Sequence, residues 1–294
     1  MIDFLKFRLI TFGISLSMVV GFIGIATYRY ITRGSSFVYS IDFTGGTQVL
    51  FEFDKAVRLP DVKSVVNQEW PGAEVRSFSD TNILVRVKEY INDIKGLSGR
   101  IKESLEKAFP DYSIKIEQSD AVSSGVGKAW RTNSLYAVIL AIIAMLIYIA
   151  WRFWSVAYAL GAVIALMHDA AAILLIFLIF DLEISVNVIA AILAILGYSI
   201  NDTIVIFSQI RSNVKRMGLT SLHDIVNVSL NQTLSRTMLT SISTALPVIA
   251  MLLFGGEALR DISLALLIGI VFGTYSSIYI ASPIMMAVSG YMRT

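Results

Sequence analysis

The sequence predicts an α-helical, polytopic membrane protein with six transmembrane helices and one α+β domain outside the membrane, between the first two helices. Hydrophobic residues make up 55% of the 294-residue chain. Only 16% of the residues are charged, whereas a soluble domain averages about 25%. The charges crowd between about Arg29 and Arg131, and long runs elsewhere carry almost none. This distribution is typical of a membrane protein with a single extramembrane domain.

Six apolar stretches are long enough to cross a bilayer: 9–28, 133–151, 155–180, 185–209, 237–255 and 262–288. The first follows Lys6 and Arg8, as the apolar region of a signal peptide would. However, it has the length of a spanning helix and no A-x-A cleavage pattern follows it. We therefore predict that it is a retained span, so that residues 1–28 form the N-terminus and first helix and 133–294 form the other five helices.

Lysine and arginine in the short loops predict the orientation. Basic residues that fall on one side of the predicted bundle are Lys6, Arg8, Arg152, Arg211, Lys215, Arg216 and Arg293. The short loops on the other side carry Asp181, Glu183, Glu257, Arg260 and Asp261. Because the basic side of such proteins faces the cytoplasm, we expect both termini to be cytoplasmic in a bacterial inner membrane, with residues 29–132 on the outer, periplasmic side.

The outer segment, 29–132, alternates between strand and helix patterns. Strands are predicted over 47–53, 74–78, 82–88 and 112–118, and helices over 61–69 and 92–109. The order β-α-β-β-α-β is that of a ferredoxin-like domain. Residues 123–127, Ser-Ser-Gly-Val-Gly, predict a flexible link into the second span.

Several function classes are excluded by what the sequence lacks. There are no cysteines and only two histidines, so we expect neither disulfides nor a metal site. The chain has no Walker motif, no G-x-G-x-x-G and no G-x-S-x-G, so no nucleotide site or hydrolase nucleophile is predicted. A net charge of +2 gives no reason to expect a nucleic-acid partner. We therefore predict a protein that is not an enzyme, has no cofactor and draws on another source of energy.

Asp202 is the most informative residue, because it lies inside a predicted span. It is nine residues before Arg211, or about 13 Å at the helical rise, which places it near the middle of the hydrocarbon. A charged carboxylate there is costly, whereas a carboxyl that alternates between neutral and charged forms could relay protons. A neutral acid that only holds neighbouring helices together is the structural alternative. Ser199 and Gln209 share its helical face, and Asn201 projects to a neighbouring one.

Arg236 is a candidate counter-charge at the cytoplasmic start of the predicted fifth span. Thr240, Ser243 and Pro247 follow it at helical spacing, and this stripe predicts a packed, hydrated interior. The alternative is an interfacial arginine that extends to the lipid headgroups. Movement of Arg236 towards or away from Asp202 would change the proton affinity of the carboxyl.

Other polar and small residues within the spans have both functional and packing interpretations. His168 and Asp169 in the third span could carry protons or could be hydrogen-bonded packing residues. Gly269 and Gly273 in the sixth span form a small-xxx-small pair, which favours close helix packing, and Gly197 in the fourth span is a further packing candidate. Near these glycines, Thr203, Tyr275, Ser276 and Ser277 could be packing or pathway groups.

Several motifs, taken in order, resemble the SecF proteins of the SecD/SecF export family, which are relatives of the RND transporters. They are Ile41-Asp42-Phe43-Thr44-Gly45-Gly46, the run from Gly197-Tyr198-Ser199-Ile200-Asn201-Asp202-Thr203 to Phe207, Ser235-Arg236-Thr237 with Thr240, and Gly273-Thr274-Tyr275-Ser276-Ser277 with Pro283. The resemblance covers essentially the whole chain.

This resemblance implies a protein that pairs with SecD as a separate chain, associates with the SecYEG channel and uses the proton gradient to help move unfolded secretory polypeptides outward. It implies that Asp202 and Arg236 occupy the positions of the family's membrane-embedded acid and functional arginine. A small-solute RND-type antiporter half and a purely structural scaffold remain as alternatives.

The chain departs from the family pattern at two places. Many relatives carry two charges where this chain has Ser208 and Gln209, so contacts made by those charges are in doubt. A Gly-Pro often precedes the second span in relatives, and here Gly125-Val126-Gly127 predicts more flexibility. For Asp42, Gly45 and Gly46 we favour a tight turn into the first outer strand over ligand binding.

Overall fold

The computed structural model describes residues 2–77, 79–88, 94–218 and 220–291. The chain divides into two compact units, one made of Met1–Val38 with Leu135–Thr294 and the other of Tyr39–Ser134. The first contains the membrane helices, and the second contains the outer α+β domain.

The first membrane helix, α1, covers Arg8–Arg33 and follows a single 3₁₀ turn at Leu5–Phe7. It ends at Gly34, whose φ of 73° is the left-handed conformation that commonly closes helices. The two-residue strand β1 (Val38–Tyr39) and the short helix α2 (Ile41–Thr44) come next in the chain.

The outer domain has the predicted ferredoxin-like fold. Its elements are β2 (Gly46–Phe53), α3 (Leu59–Glu69), β3 (Glu74–Ser77), β4 (Asn82–Val87), α4 (Ile94–Ala108) and β5 (Ile114–Val122). The strands lie in the order β3-β4-β2-β5 and every neighbouring pair is antiparallel, which confirms the topology. The predicted second strand (74–78) included Phe78, and the predicted second helix (92–109) included Asn92 and Asp93; these three residues lie outside the described residues.

The core of this domain lies between the sheet and the two helices. Alternate residues of β2, among them Val49, Phe51 and Phe53, point into it. From α4, Leu97, Ile101 and Leu105 project at intervals of four residues. Burial of each such side chain stabilises the domain by about 1.5–3 kcal/mol, so alternating and helical spacing together fix which faces meet.

The chain enters β2 through a tight turn at two glycines. Gly45 and Gly46 have φ values of 77° and 119°, which L side chains rarely adopt. A Cβ on Gly45 would lie 2.7 Å from the Ser124 Cα, and one on Gly46 would lie 2.5 Å from the Val87 carbonyl oxygen. The structure therefore gives both glycines a backbone role. Just before them, the Ser40 hydroxyl accepts a hydrogen bond from the Asp42 amide and caps α2.

The predicted flexible link at residues 123–127 is wrong, because the helix α5 covers Ser124–Phe153. The Ser123 carbonyl accepts a hydrogen bond from the Gly127 amide at 3.0 Å. A Cβ on Gly127 would lie 3.1 Å from the backbone of Phe43 and Gly45. Here glycine serves close backbone packing inside a helix rather than flexibility.

The helices that follow α5 are α6 (Val156–Ile179), α7 (Val186–Met217), α8 (Leu222–Phe254), α9 (Gly256–Ser276) and α10 (Ser282–Tyr291). The two-residue strand β6 (Glu183–Ile184) lies in the loop between α6 and α7. A π-helical turn at Ser277–Ala281 joins α9 to α10, so that Leu259–Gly290 forms the sixth span. Pro283 follows this turn and lacks the amide that an α-helix needs, which accounts for the local change in winding. Among the described residues, six helices are long and apolar enough to cross a membrane, in agreement with the predicted number.

Gly46→Ala is expected to destabilise the outer domain by about 2 kcal/mol or more, because it combines a strained φ with a clash against backbone. The matched control is Gly72→Ala, where φ is also positive (82°) but a Cβ would meet no atom within 4 Å. The control is expected to cost only about 1 kcal/mol. Pulse proteolysis of the full chain in increasing urea measures both, and equal losses would contradict a role for the close approach to Val87.

Candidate functional site

Asp202 lies at the middle of α7 and is only 3% exposed. Its Oδ1 accepts a hydrogen bond from the Thr240 hydroxyl of α8 at 3.4 Å. Its Oδ2 is buried and has no hydrogen-bond partner among the described residues. A buried carboxyl oxygen without a partner is costly, so the site has capacity for one more hydrogen bond or a proton.

Arg236 lies on α8, one helical turn before Thr240, and its positive charge acts on the Asp202 carboxyl. Within the described part of the chain, it makes no hydrogen bond or ion pair. The helix that carries Arg236 begins at Leu222, well before the predicted fifth span at residue 237, so Arg236 lies inside α8 and not at its start. The added length is an amphipathic stretch that is capped by Ser221 and buries Ile225 and Leu230.

An open pocket of about 370 Å³ lies between α7 and α8, and its lining begins two residues after Asp202. Its lining consists of Ile204, Val205, Ser208, Gln209, Gln232, Thr233 and Arg236. The Gln209 amide donates to the Gln232 side-chain oxygen at 2.7 Å. A cation, two amides, two hydroxyls and two aliphatic side chains thus line a recess that water could enter.

The polar stripe that follows Arg236 lies on the surface of this chain and not in a packed interior, contrary to our prediction. Ser243 and Pro247 are exposed, and Thr240 is half-buried. On α7, Asn201 and Ser208 are exposed as well. The Ser243 hydroxyl donates to the Thr240 carbonyl of its own helix, but an exposed polar face within a span favours water or another polar surface over lipid.

Asp169 of α6 is 0% exposed and is the most buried carboxyl that the structure describes. Its Oδ2 accepts hydrogen bonds from the hydroxyls of Ser199 at 2.6 Å and Ser276 at 2.9 Å. Its Oδ1 lies 3.3 Å from the His168 Nδ1. Asp169 therefore joins α6, α7 and α9. The Thr203 hydroxyl donates to the Ser199 carbonyl, within the same turn of α7.

Sequence reasoning weighed Ser276 only as a packing or pathway group and missed the contact between Ser241 and Thr274. The hydroxyls of these last two residues lie 2.6 Å apart and join α8 to α9. The available signal was a run of small polar residues within an apolar span, Gly273-Thr274-Tyr275-Ser276-Ser277.

The glycines of the sixth span allow α9 to approach α7 closely. A Cβ on Gly269 would lie 2.5 Å from the side chain of Ile195, and one on Gly273 would lie 3.0 Å from the Cβ of Ser199. Gly197 behaves differently, because it is exposed and a Cβ there would meet no atom of this chain within 4 Å. Among the described residues, no group of three His, Cys, Asp or Glu side chains could hold a metal ion.

Comparison with known proteins gives the family. The profile described as "Protein export membrane protein SecD/SecF, C-terminal" matches residues 100–290, and the profile "SecD/SecF GG Motif" matches residues 37–57. The chain belongs to the SecD/SecF family. The glycines of the second profile include Gly45 and Gly46, which the structure places in the turn before β2.

Individual relatives agree with this assignment. The chain is 34% identical to the "Protein translocase subunit SecF" of Thermodesulfovibrio yellowstonii, over 97% of this chain and 94% of the relative. It is 36% identical to the "Protein translocase subunit SecDF" of Thermus thermophilus, over 87% of this chain and 35% of the relative. The crystal structure of that organism's SecDF superposes with a TM-score of 0.85 at 32% identity, over 98% of this chain. The chain spans only 39% of that crystallised protein.

Gly269→Ala is expected to destabilise the helix bundle by about 1–3 kcal/mol, because the methyl group would overlap the buried Ile195 side chain. Gly197→Ala is the control, since it adds the same methyl group to open space on the same bundle. Thermal unfolding of the purified chain in detergent measures both. If the Tm of Gly197→Ala falls as far as that of Gly269→Ala, close packing at Gly269 is not the cause of the destabilisation.

Proposed function

We propose that this chain is an accessory subunit of the Sec protein-export machinery that works with SecD and uses the proton-motive force. Family membership supports the export role, since relatives are named protein translocase subunits. The observation that carries the proton coupling is the half-satisfied Asp202 carboxyl, which is buried at mid-helix, bonded to Thr240 on one oxygen and acted on by the charge of Arg236.

The chemistry at this site is reversible protonation. The Thr240 hydroxyl orients one oxygen of Asp202 and leaves the other for a proton or a water molecule. The positive charge of Arg236 stabilises the carboxylate, and separation of the two groups favours the neutral acid. A reorientation that separates the Asp202 carboxyl from the Arg236 side chain would therefore favour uptake of a proton, and their return to contact would favour its release.

The exposed polar face of α7 and α8 supports a second membrane chain as partner. The SecDF relative from Thermus thermophilus is much longer than the segment that matches this chain. We propose that SecD, as a separate polypeptide, covers Asn201, Ser208 and Ser243 and completes the proton site. SecYEG and an unfolded secretory polypeptide are the further proposed partners, and the role requires no cofactor, metal or enzyme activity.

Charged residues support an orientation with both termini in the cytoplasm and residues 29–132 outside the inner membrane. The Arg211 side chain donates to the Arg152 carbonyl at 3.4 Å, so these two basic residues lie at the same end of the bundle. Arg29 and Arg33 both contact Asp181 at the outer ends of α1 and α6. A cytoplasmic excess of basic residues is the usual arrangement in inner-membrane proteins.

Asp202→Asn is expected to abolish the part of export that depends on a proton gradient, because an amide cannot bind and release a proton at this position. The measurement is translocation of a secretory precursor into proteoliposomes that contain SecYEG, SecD and this chain, with and without a gradient. Asp181→Asn is the matched control, since it removes a carboxyl from an exposed ion pair of small energetic value. Unaltered stimulation by the gradient in Asp202→Asn would refute proton coupling through this residue.

Arg236→Met is expected to lower gradient-driven export in the same assay, whereas Arg236→Lys should retain more of it because the positive charge remains. The exposed Arg216→Met at the end of α7 serves as control. If Arg236→Met exports as well as the unaltered chain, Arg236 is an interfacial arginine and not part of the relay.

Deletion of the chain in cells separates the export role from the alternative of a small-solute antiporter half. Accumulation of secretory precursors with unchanged resistance to small toxic compounds is the expected result. Loss of resistance with normal secretion would favour the antiporter. The single small outer domain supports export, because solute transporters of the RND type carry larger outer regions.

A further inference from the structure

Side-chain hydrogen bonds between four helices, connected along each helix by its backbone, form a ring that includes the buried carboxyls of Asp169 and Asp202. Asp202 of α7 contacts Thr240 of α8, and the neighbouring Ser241 contacts Thr274 of α9. Ser276 lies two residues after Thr274 on α9, and its hydroxyl donates to Asp169 of α6. Asp169 also accepts from Ser199, which lies one turn before Asp202 on the same face of α7 and closes the ring.

The Asp169 carboxyl is the point at which this ring is held most tightly. Both serine hydroxyls donate to the same oxygen, Oδ2, so one atom fixes α7 relative to α9. Gly273 brings the backbone of α9 against Ser199, where a Cβ would lie 3.0 Å from the serine Cβ. On the other side of Ser276, the π-helical turn at Ser277–Ala281 packs against Gly161 of α6, where a Cβ would lie 2.6 Å from the Ala281 carbonyl oxygen.

We propose that Asp169 is a positioning residue for the Asp202 proton site, acting through its hydrogen bonds from Ser199 and Ser276. These bonds set the rotation and depth of the α7 turn that precedes Asp202, and hence the placement of its carboxyl against Thr240 and Arg236. The inference rests on the proposed proton-coupling role of Asp202. It assigns Asp169 no transfer of protons, only the geometry of the group that transfers them.

The contacts of His168 agree with a fixed rather than a mobile Asp169. The imidazole lies 3.3 Å from the Asp169 Oδ1 and packs between the rings of Phe272 and Tyr275. The Tyr275 hydroxyl in turn donates to the Thr11 carbonyl and contacts the Ser15 hydroxyl of α1. Both oxygens of Asp169 are therefore engaged by side chains that are themselves held in place.

The titratable or charged side chains that face this ring come from four helices. They are Asp202 and Tyr198 on α7, Arg236 on α8, and Asp169 with His168 on α6, with Tyr275 of α9 in contact with His168. A change in the protonation of Asp202 must therefore be separated from that of Asp169 in any measurement.

Asparagine and leucine at position 169 distinguish positioning from proton transfer. Asparagine is isosteric with aspartate, and its amide oxygen can accept from both serines while its NH₂ group donates to His168. Leucine has a similar size and removes every hydrogen bond. Ser276→Ala removes one of the two serine bonds to Asp169, together with a contact to the Gly273 carbonyl of its own helix. Ser277→Ala is its matched control, because the Ser277 hydroxyl makes the same kind of contact, to the Thr274 carbonyl, and does not reach Asp169.

The test is the pH titration of Asp202 by infrared spectroscopy in proteoliposomes that contain the full chain with SecD. In each background, the spectrum of the corresponding Asp202→Asn variant is subtracted, so that only the Asp202 carboxyl band remains. We expect the titration midpoint to shift by more than about half a pH unit in Asp169→Leu and Ser276→Ala. We expect Asp169→Asn and Ser277→Ala to match the unaltered chain.

Each other outcome overturns the inference in an identifiable way. An unchanged midpoint in Ser276→Ala shows that the hydrogen bonds of Asp169 do not position Asp202, even if Asp169→Leu fails to fold. A shift in Asp169→Asn as large as in Asp169→Leu shows that the ionisable carboxyl itself is required. An Asp202 band that does not titrate between about pH 5 and pH 8 in the unaltered chain refutes the proposed function and this inference together.

Discussion

A polar group inside a lipid bilayer finds no water, so its hydrogen bonds have to come from neighbouring helices. The arrangement of the membrane helices in this chain depends on that requirement. Asp169 meets it fully, with partners on α7 and α9, and the close contacts at Gly269 and Gly273 allow those helices to reach it. Asp202 meets it only in part, with Thr240 on one oxygen. The carboxyl of Asp169, with both oxygens hydrogen-bonded, holds the bundle in one arrangement. The carboxyl of Asp202, with one oxygen unpartnered, can still bind a proton or a water molecule.

The outer domain and the spans could be predicted from the sequence because each is governed by a local pattern. Alternation in β2 and four-residue spacing in α4 determine the ferredoxin-like core without reference to the rest of the chain. The ends of the long helices could not be predicted in the same way. Hydropathy places the fifth span at residue 237, but α8 begins at Leu222, because its first turns are stabilised by an amphipathic face and a serine cap.

The candidate site was predictable in its residues but not in its contacts. An aspartate within an apolar run identifies Asp202 from the sequence alone. That Thr240 is its partner, and that Asp169 is bonded to Ser199 and Ser276, depends on how helices far apart in the chain pack together. The exposure of Ser243 and Pro247 could not be predicted for the same reason. Helical spacing shows which residues share a face, but it does not show what that face contacts.

The length of α7 and α8 has a mechanical consequence. Each has more than 30 residues and is therefore roughly 50 Å long, whereas the hydrocarbon core is about 30 Å thick. The second half of α7 is hydrogen-bonded to the first half of α8: Gln209 is bonded to Gln232, and Asn213 is bonded to Ser229 and Gln232. The two helices would therefore tilt as one unit. If that tilt pivoted at Asp202, an angle of about 5° would move the Met217 end of α7, roughly 22 Å away, by about 2 Å.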